Sequence, residues 1–374
     1  MKQMTIGIDI SQIVYEGSGV SRFTQGLCES ILEYEHDHTW QFFFSSLRKK
    51  LPADLKQKIK QSRHILIEYP LPPTVISYLW NDLHQFTGQL AQRIVTPTPC
   101  DWFITSDWTE PMLNTKKATI VHDLVFRKYP ETVAPKILKT QTKRLEWIAK
   151  ETSLIITDSE QTAADLKEYY PTIASTVETI YPGVSIKEID RETQISILDQ
   201  LDLKDTDFIL SVGKQEPRKN IDRLIQAYSQ VKAKHKPLLV IVGMHGWGDT
   251  TVTSDPNIRF VNFVDDNTLH TLYSKAQFFV MPSLYEGFGY PVVEAMLHGC
   301  PTAVSNNSSL KEIGHTASYF FDPLKQESIT SALQALINDP TLRKELAAKG
   351  LKRSTQYSWQ KYYTALIKQL ESHL

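Results

Sequence analysis

Short runs of β-branched and aromatic residues alternate along the chain with stretches that carry apolar residues at helical spacing. In the first half, the runs that predict strands are Thr5–Ile10, Trp40–Ser45, His64–Glu68, Trp102–Thr105, Ala118–His122 and Leu154–Thr157. In the second half they are Phe208–Val212, Leu238–Val242, Ile258–Val264, Phe278–Met281 and Thr302–Val304, and helical patterns such as Ile221–Lys232 and Leu269–Lys275 lie between them. Because strands that alternate with helices build parallel sheets covered on both faces, this pattern predicts an α/β protein of doubly wound domains.

The length of the chain favours two such domains. A chain of 374 residues exceeds the size at which one hydrophobic core usually keeps growing. The turn residues at Tyr181–Val184 and the polar stretch up to Asp205 place the join there, so we expect domains over residues 1–190 and 191–357. Residues 358–374 are predicted to form a terminal helix whose apolar stripe, which needs a covering surface, consists of Trp359, Tyr362, Leu366 and Leu370.

Composition excludes several classes of function. Hydrophobic residues make up 41% of the chain, charged residues 22%, and the net charge is −1, which is typical of a soluble globular protein and not of a disordered chain or a nucleic-acid binder. The three cysteines, Cys28, Cys100 and Cys300, lie far apart, so we expect neither a disulfide framework nor a cysteine zinc site, and a reducing, cytoplasmic compartment. The N-terminus passes within a few residues into a predicted strand, so a signal segment is not expected.

One local departure is the basic segment 48–63, in which seven Lys and Arg residues face a single acid, Asp54. A solvated helix face is the favoured interpretation. The alternative is a peripheral contact with anionic lipid at the inner face of a membrane.

The most informative motif follows the predicted strand Phe278–Met281 and consists of Glu286-Gly287-Phe288-Gly289-Tyr290-Pro-Val-Val-Glu294. Pro291 suits the first turn of a helix, and Gly299 and Pro301 mark its end. Backbone amides near Gly287 to Tyr290, together with the positive end of the helix dipole, predict a phosphate site. Glu294, inside the helix, can accept two hydrogen bonds from a ribose, whereas Glu286 lies closer to a transferred sugar.

A second strand-to-helix segment, Gly213-Lys214-Gln-Glu-Pro217-Arg218-Lys219-Asn220, carries the cations that could neutralise a diphosphate. Gly213 allows close approach of the backbone, and Pro217 stiffens the loop. Asn220 is expected to cap the following helix.

The first half offers two weaker candidates. The loop from Glu16 to Phe23, with Gly17 and Gly19, follows the first strand, but Arg22 occupies the position where a dinucleotide fingerprint needs Gly or Ala, so a nicotinamide site is not supported. His122 and Asp123 end a predicted strand, and His122 could orient or polarise a sugar hydroxyl, although a lone histidine is more often structural.

A metal site is not expected. Asp205-Thr-Asp207 has the spacing of a metal-binding pair, but it precedes a strand, so we interpret it as a turn.

Taken together, these segments resemble glycosyltransferase family 4, retaining enzymes of the GT-B fold, and the resemblance covers nearly the whole chain. The family's E-G-F-G-x-x-x-x-E element corresponds to Glu286–Glu294, its G-x-x-E-P-R-K-N element to Gly213–Asn220, its glycine loop to Gly19–Phe23 and its H-D segment to His122 and Asp123. Weaker matches are Thr157-Asp-Ser159, Tyr181-Pro-Gly183 and Ser358-Trp359. The loop match departs from the family at Ser21, where many members have glycine.

The resemblance implies two Rossmann-like domains facing a deep inter-domain cleft, with the acceptor on the first, the nucleotide sugar on the second, and the terminal helix packed back on the first. It implies that Arg218 and Lys219, aided by Lys214, bind the diphosphate, that Glu294 holds the ribose, and that Glu286 and His122 serve the transferred sugar. The residues implied to bind the donor are thus Gly19, Lys214, Arg218, Lys219, Gly287, Phe288, Gly289, Tyr290 and Glu294.

The expected function is therefore transfer of a hexosyl group from a nucleotide sugar to a glycan or lipid-linked acceptor in polysaccharide or cell-envelope biosynthesis, without a cofactor. Mannosyl transfer from GDP-mannose is the first candidate, because E-P-R-K-N is frequent in mannosyltransferase-like members. The alternatives are a nucleotide-sugar epimerase or phosphorylase of the same fold, and a non-catalytic sugar-nucleotide-binding partner.

Overall fold

A computed structural model describes residues 3–15, 17–105, 107–244 and 255–374 of the chain. The chain divides into two compact units, the first formed by Met1–Gly183 with Ser358–Leu374 and the second by Val184–Tyr357. This division falls between Gly183 and Val184, whereas the sequence predicts the domain boundary between residues 190 and 191.

The first unit contains a parallel sheet of seven strands in the order β3-β2-β1-β4-β5-β6-β7. The strands are β1 Thr5–Asp9, β2 Thr39–Ser45, β3 Ile65–Tyr69, β4 Trp102–Thr105, β5 Lys116–Val121, β6 Leu154–Thr157 and β7 Val177–Thr179. The helices between them are α1 Gly19–Tyr34, α2 Ala53–Gln61, α3 Pro73–Ser77, α4 Gly88–Val95, α5 Val125–Lys128, α6 Pro135–Glu151 and α7 Glu160–Tyr169. The strand order reverses between β1 and β4, where Ile6 lies beside both Trp40 and Trp102.

The second unit repeats this plan with six described strands in the order β10-β9-β8-β11-β12-β13, all parallel. They are β8 Phe208–Val212, β9 Leu238–Val242, β10 Ile258–Val261, β11 Phe278–Met281, β12 Thr302–Ser305 and β13 Ser318–Phe321. The helices are α8 Arg191–Gln200, α9 Ile221–Ser229, α10 Asp266–Lys275, α11 Tyr290–Leu297, α12 Ser308–Gly314, α13 Gln326–Asn338 and α14 Pro340–Ser354. Here the order reverses between β8 and β11.

The predicted α/β class with two doubly wound domains is confirmed. Every predicted strand is present, and five of them have the predicted bounds, because short apolar runs that end at turn residues leave little choice of position. The patterns did not predict β7 and β13, which are short strands at the outer edges of the two sheets. The predicted strand Ile258–Val264 ends at Val261, and its side chains are only half-buried.

The predicted terminal helix is confirmed as α15, Trp359–Ser372, and Ser358 caps it by accepting a hydrogen bond from the amide of Lys361. Tyr362, Leu366 and Leu370 of the predicted stripe are buried. The indole of Trp359 lies in a notch formed by two glycines, since a Cβ atom would lie 2.1 Å from the ring at Gly26 of α1 and 2.4 Å from it at Gly183. These glycines let α15 pack closely against the first unit.

The basic segment 48–63 comprises α2 and its flanking loops, and several of its cations have partners within the protein. Lys56 pairs with Glu68 at 2.7 Å, Arg63 with Glu35 at 3.3 Å, and Lys49 Nζ donates to the carbonyl of Val14 at 2.8 Å. None of the helices that the structure describes is long and apolar enough to cross a membrane.

Candidate functional site

Two loops of the second unit leave neighbouring strands at the point where the strand order reverses. Residues 213–220 follow β8, and residues 282–289 follow β11. In open α/β sheets the carboxyl ends of strands at such a reversal are where ligands bind. The two motifs singled out in the second half of the sequence therefore lie side by side.

A buried carboxylate joins the two loops. Glu286 accepts hydrogen bonds from Arg218 Nη1 at 2.8 Å and from Lys219 Nζ at 2.7 Å, and the three side chains are 16% exposed or less. Burial raises the pKa of a carboxyl group, but the charges of Arg218 and Lys219 lower that of Glu286 to about 2. Glu286 is thus ionised at neutral pH and holds both cations at the sheet edge.

Arg218 has further anchors that do not depend on Glu286. Its guanidinium also donates to the carbonyl of Tyr285 at 2.7 Å and to Glu216 Oε1 at 2.7 Å. Its own carbonyl accepts from the amide of Leu284 at 2.8 Å. Lys214, on the same loop, is exposed. Of the three residues predicted to bind the diphosphate, Arg218 is rigidly held, Lys219 is held by Glu286, and Lys214 faces solvent.

Asn220 has a different role from the one predicted. It occupies the position before α9, but its backbone is left-handed at φ 57°, and its side chain makes no cap hydrogen bond. Instead, Nδ2 donates to the carbonyls of Pro282 and Pro323, at 3.0 Å and 2.8 Å. The helix-cap prediction was wrong because these buried carbonyls compete for the amide, and Asn220 fastens the Arg218 loop to the loops after β11 and β13.

Two serines at the start of α12 hydrogen-bond the glycine turn that precedes α11. Ser309 Oγ donates to the carbonyls of Glu286 and Phe288, both at 2.8 Å, and Ser308 Oγ accepts from the amide of Glu286 at 3.2 Å. Gly289 has φ 110°, a region that favours glycine, and a Cβ there would lie 2.9 Å from Leu310. Tyr290 begins α11, as the position of Pro291 predicted within one residue.

Glu294 lies within α11, as predicted, and is 3% exposed. Its Oε2 accepts a hydrogen bond from the hydroxyl of Tyr273, a fully buried residue of α10, at 3.0 Å. This contact fixes the carboxylate on a rigid element of the second unit, on the helix that the glycine turn introduces.

In the first unit, Gly19 is the first residue of α1, and Ser18 caps that helix by accepting from the amide of Ser21. Glu16 lies outside the described residues. His122 follows β5, which ends at Val121, one residue earlier than predicted, and its Nδ1 hydrogen-bonds Asp158 Oδ2 at 2.6 Å.

The residues predicted to bind the donor or to act in catalysis are divided between the two units. Gly19 and His122 belong to the first unit, and the second unit contains Lys214, Arg218, Lys219, Gly287, Phe288, Gly289, Tyr290, Glu286 and Glu294. Asp205 lies in a turn before β8, as predicted. Within the described ranges, no three His, Cys, Asp or Glu side chains come together where they could hold a metal ion.

Glu216, Tyr273, Ser309 and Asp158 were not singled out as site residues in the sequence, although Glu216 and Asp158 lie within segments that match the family. Asp158 had a usable signal, because it follows the predicted strand Leu154–Thr157 and so shares a sheet edge with His122. Ser309 and Tyr273 sit on helices distant in sequence from their partners, and no local pattern marks them.

Comparison with known proteins gives one family. The model of the family described as Glycosyl transferases group 1 matches residues 194–353, within the second unit. The O-antigen chain mannosyltransferase B of Escherichia coli is 30% identical over 263 residues, which are 67% of this chain and 69% of that protein. The serotype-specific mannosyltransferase WbdA of Escherichia coli is 31% identical over 216 residues, which are 54% of this chain and 26% of WbdA.

The crystal structure of Anabaena HepE in complex with UDP and glucose superimposes with a TM-score of 0.71 at 15% identity, over 99% of this chain and 100% of that one. The similarity covers both units and confirms the GT-B fold class, with two Rossmann-like domains.

Proposed function

The chain belongs to the group 1 glycosyl transferases and is a glycosyltransferase, and from that premise we propose that it moves a mannosyl group from GDP-mannose to a glycan or lipid-linked acceptor in polysaccharide biosynthesis. The observation that carries the proposal is the cluster of Arg218, Lys219 and Glu286 beside the start of α11. The mannosyl assignment is supported by the similarity to the O-antigen chain mannosyltransferase B and to the mannosyltransferase WbdA.

The leaving group explains why cations gather here. When the bond between the sugar's anomeric carbon and the diphosphate oxygen breaks, negative charge grows on the nucleoside diphosphate. Donors that are already aimed at that charge stabilise the transition state without reorganising. Arg218 is held by Tyr285 and Glu216, so it is oriented before the donor arrives.

We assign different roles in donor binding to Glu286 and Glu294. We assign Glu294 to the ribose, because it is buried on α11 and oriented by Tyr273. Glu286, ionised and bound to both cations, keeps Arg218 and Lys219 in place and is assigned to the transferred sugar. The bond to the acceptor oxygen would form on the face from which the diphosphate leaves, and the acceptor's proton would pass to the leaving phosphate.

Loss of one cation tests the donor site. We expect Lys219→Ala to abolish binding of GDP-mannose and GDP in calorimetry while the variant stays folded, because the side chain belongs to a loop and not to a core. Lys349→Ala is the matched control, since Lys349 pairs with Glu345 on the surface of α14 in the same unit. Unchanged nucleotide affinity in folded Lys219→Ala would remove this residue from the diphosphate site.

The nucleotide base and sugar are tested separately. A ligand that binds only the folded state raises its stability, so a thermal-shift panel of GDP, UDP, ADP and CDP should give its largest shift with GDP. A larger shift with UDP would redirect the assignment toward a UDP-sugar, the class of nucleotide bound in the HepE structure.

A peripheral membrane contact of the basic segment 48–63 is the alternative to a solvated helix face. Its exposed cations Lys58 and Lys60 lie on α2, while Lys56 and Arg63 already have acidic partners. If the segment contacts anionic lipid, sedimentation with phosphatidylglycerol vesicles will remove the protein from solution and phosphatidylcholine vesicles will not. Equal recovery with both would leave the segment as a solvated surface.

A further inference from the structure

His122 is tied by a short hydrogen bond to a carboxylate from the next strand end. Its Nδ1 lies 2.6 Å from Asp158 Oδ2, and the side chains of His122 and Asp158 are 12% and 3% exposed. Because an ionised carboxylate can only accept a hydrogen bond, Nδ1 is the donor here, and Nε2 is the ring atom that can meet a substrate.

The surroundings hold the imidazole ring in one orientation. Phe23 of α1 packs edge-on to it with ring centroids 4.7 Å apart, and Tyr362 of α15 packs edge-on to Phe23 at 5.4 Å. Thr162 of α7 donates from its hydroxyl to the carbonyl of His122 at 3.3 Å. The ring is therefore fixed by packing on one side and by Asp158 on the other.

The charged groups that face His122 are mostly acidic. The carboxylates of Asp158, Asp107 and Asp123 act on it, and Asp107 is itself paired with Arg144 at 3.3 Å. Burial alone would lower the pKa of His122, but the carboxylates, Asp158 foremost, raise it to about 9. Burial and Asp158 raise the pKa of Tyr362 as well, so its hydroxyl stays neutral.

We propose that Asp158 is a positioning residue that keeps His122 as an imidazolium, so that His122 meets the substrate as a charged Nε2–H donor and does not act as a general base. An imidazolium has no lone pair with which to accept a proton. It can instead stabilise negative charge that develops during glycosyl transfer, and a charged donor is about twice as strong as a neutral one. This inference rests on the proposed function.

Asp158→Asn tests it, because an asparagine oxygen can still accept the Nδ1–H bond while the charge is lost. For the native protein we expect kcat/KM to fall as pH rises through about 9, where His122 loses its proton. In the variant the fall should begin at a lower pH, and kcat at neutral pH should drop about 10- to 100-fold, the loss typical when a metal-binding histidine loses its outer hydrogen-bond partner. The donor KM, set by the second unit, should change little.

Asp165→Asn is the matched control. Asp165 is equally buried, lies on α7 close to Asp158 in the chain, and pairs with Lys128 at 3.0 Å. It should leave the alkaline limb of the profile unchanged. A native-like profile for Asp158→Asn, or a rate that rises with pH through the same range, would overturn the proposal.

Nitrogen NMR gives a readout that does not need turnover. The His122 resonance, assigned by its loss in His122→Gln, should titrate near pH 9 in the native protein and at clearly lower pH in Asp158→Asn. Adding Asp158→Asn to His122→Gln should cost no further activity. If the native protein turns over no nucleotide sugar, the proposed function fails. If it is active and the His122 titration is the same in both proteins, only the positioning role fails.

Discussion

Replacing Glu286 by glutamine should weaken the fold and catalysis but not the affinity for nucleoside diphosphate. The substitution keeps the size and the hydrogen-bonding oxygen, and it removes the charge that Arg218 and Lys219 share. Its effect on the free energy of unfolding can be calculated from the pKa of Glu286, which is about 2 in the folded protein and 4.5 for an unperturbed glutamate. At about 1.36 kcal/mol per pH unit, this difference corresponds to about 3 kcal/mol.

The sign follows from the direction of the shift. A lowered pKa contributes stability that is present above pH 4.5 and is lost as pH falls toward 2. Glu286→Gln should therefore unfold more easily than the native protein at pH 7, and the difference should shrink as the pH is lowered. Thermal unfolding followed by circular dichroism at several pH values measures it.

The binding effect runs in the opposite direction. Without Glu286 the two cations lose their internal counter-charge, while Arg218 keeps its bonds to Tyr285 and Glu216. GDP should then bind as tightly as before or more tightly, and kcat should fall about 100-fold, as for loss of a group that orients charge at a reacting centre. Calorimetry and steady-state kinetics separate the two.

The control is Glu345→Gln, which breaks an exposed pair with Lys349 and should change stability by about 1 kcal/mol or less. The reasoning would be refuted by a Glu286→Gln protein that loses GDP affinity but keeps its kcat. A stability difference that grows toward acid pH would also contradict it.

Three further outcomes are expected. Glu294→Gln should raise the donor KM with a smaller change in kcat, because ribose contacts are the same in ground and transition states; the reverse pattern in donor-varied kinetics at saturating acceptor would contradict the assignment. Gly26→Ala should lower the free energy of unfolding by about 1–3 kcal/mol through collision with Trp359, whereas Gly88→Ala, which meets only the flexible Met112 at 3.2 Å, should be nearly neutral in thermal melts. Activity should survive EDTA, since cations and helix amides are predicted to offset the diphosphate charge; complete loss restored by magnesium or manganese would show that a metal is needed.

The alternation of apolar runs and helical stripes was enough to predict the two parallel sheets. Turn residues fixed most strand ends within one or two positions, so the site motifs could be placed at carboxyl ends of strands. The outer strands β7 and β13 were not predicted, because three or four residues at a sheet edge are too few to show a clear pattern of apolar positions.

The candidate site was predictable in its local motifs and not in its long-range contacts. That Glu286 binds both Arg218 and Lys219 depends on β8 and β11 being neighbours, a pairing that a single sequence does not specify. The hydrogen bond from Asn220 to Pro323 joins residues about a hundred positions apart. Because the side chain makes this bond, the prediction that Asn220 caps α9 was wrong. Local chemistry identified the residues, and only the fold showed their partners.

The central claim is that the Arg218 and Lys219 cluster serves transfer of a sugar from a nucleotide. Its most direct test measures release of nucleoside diphosphate from GDP-mannose, with and without a mannose-terminated oligosaccharide acceptor. For the native protein we expect release that depends on the acceptor, with a lengthened oligosaccharide in mass spectrometry, and for Lys219→Ala we expect neither. Acceptor-dependent transfer by Lys219→Ala at the native rate, or a native protein that releases no diphosphate from any nucleotide sugar, would contradict the account.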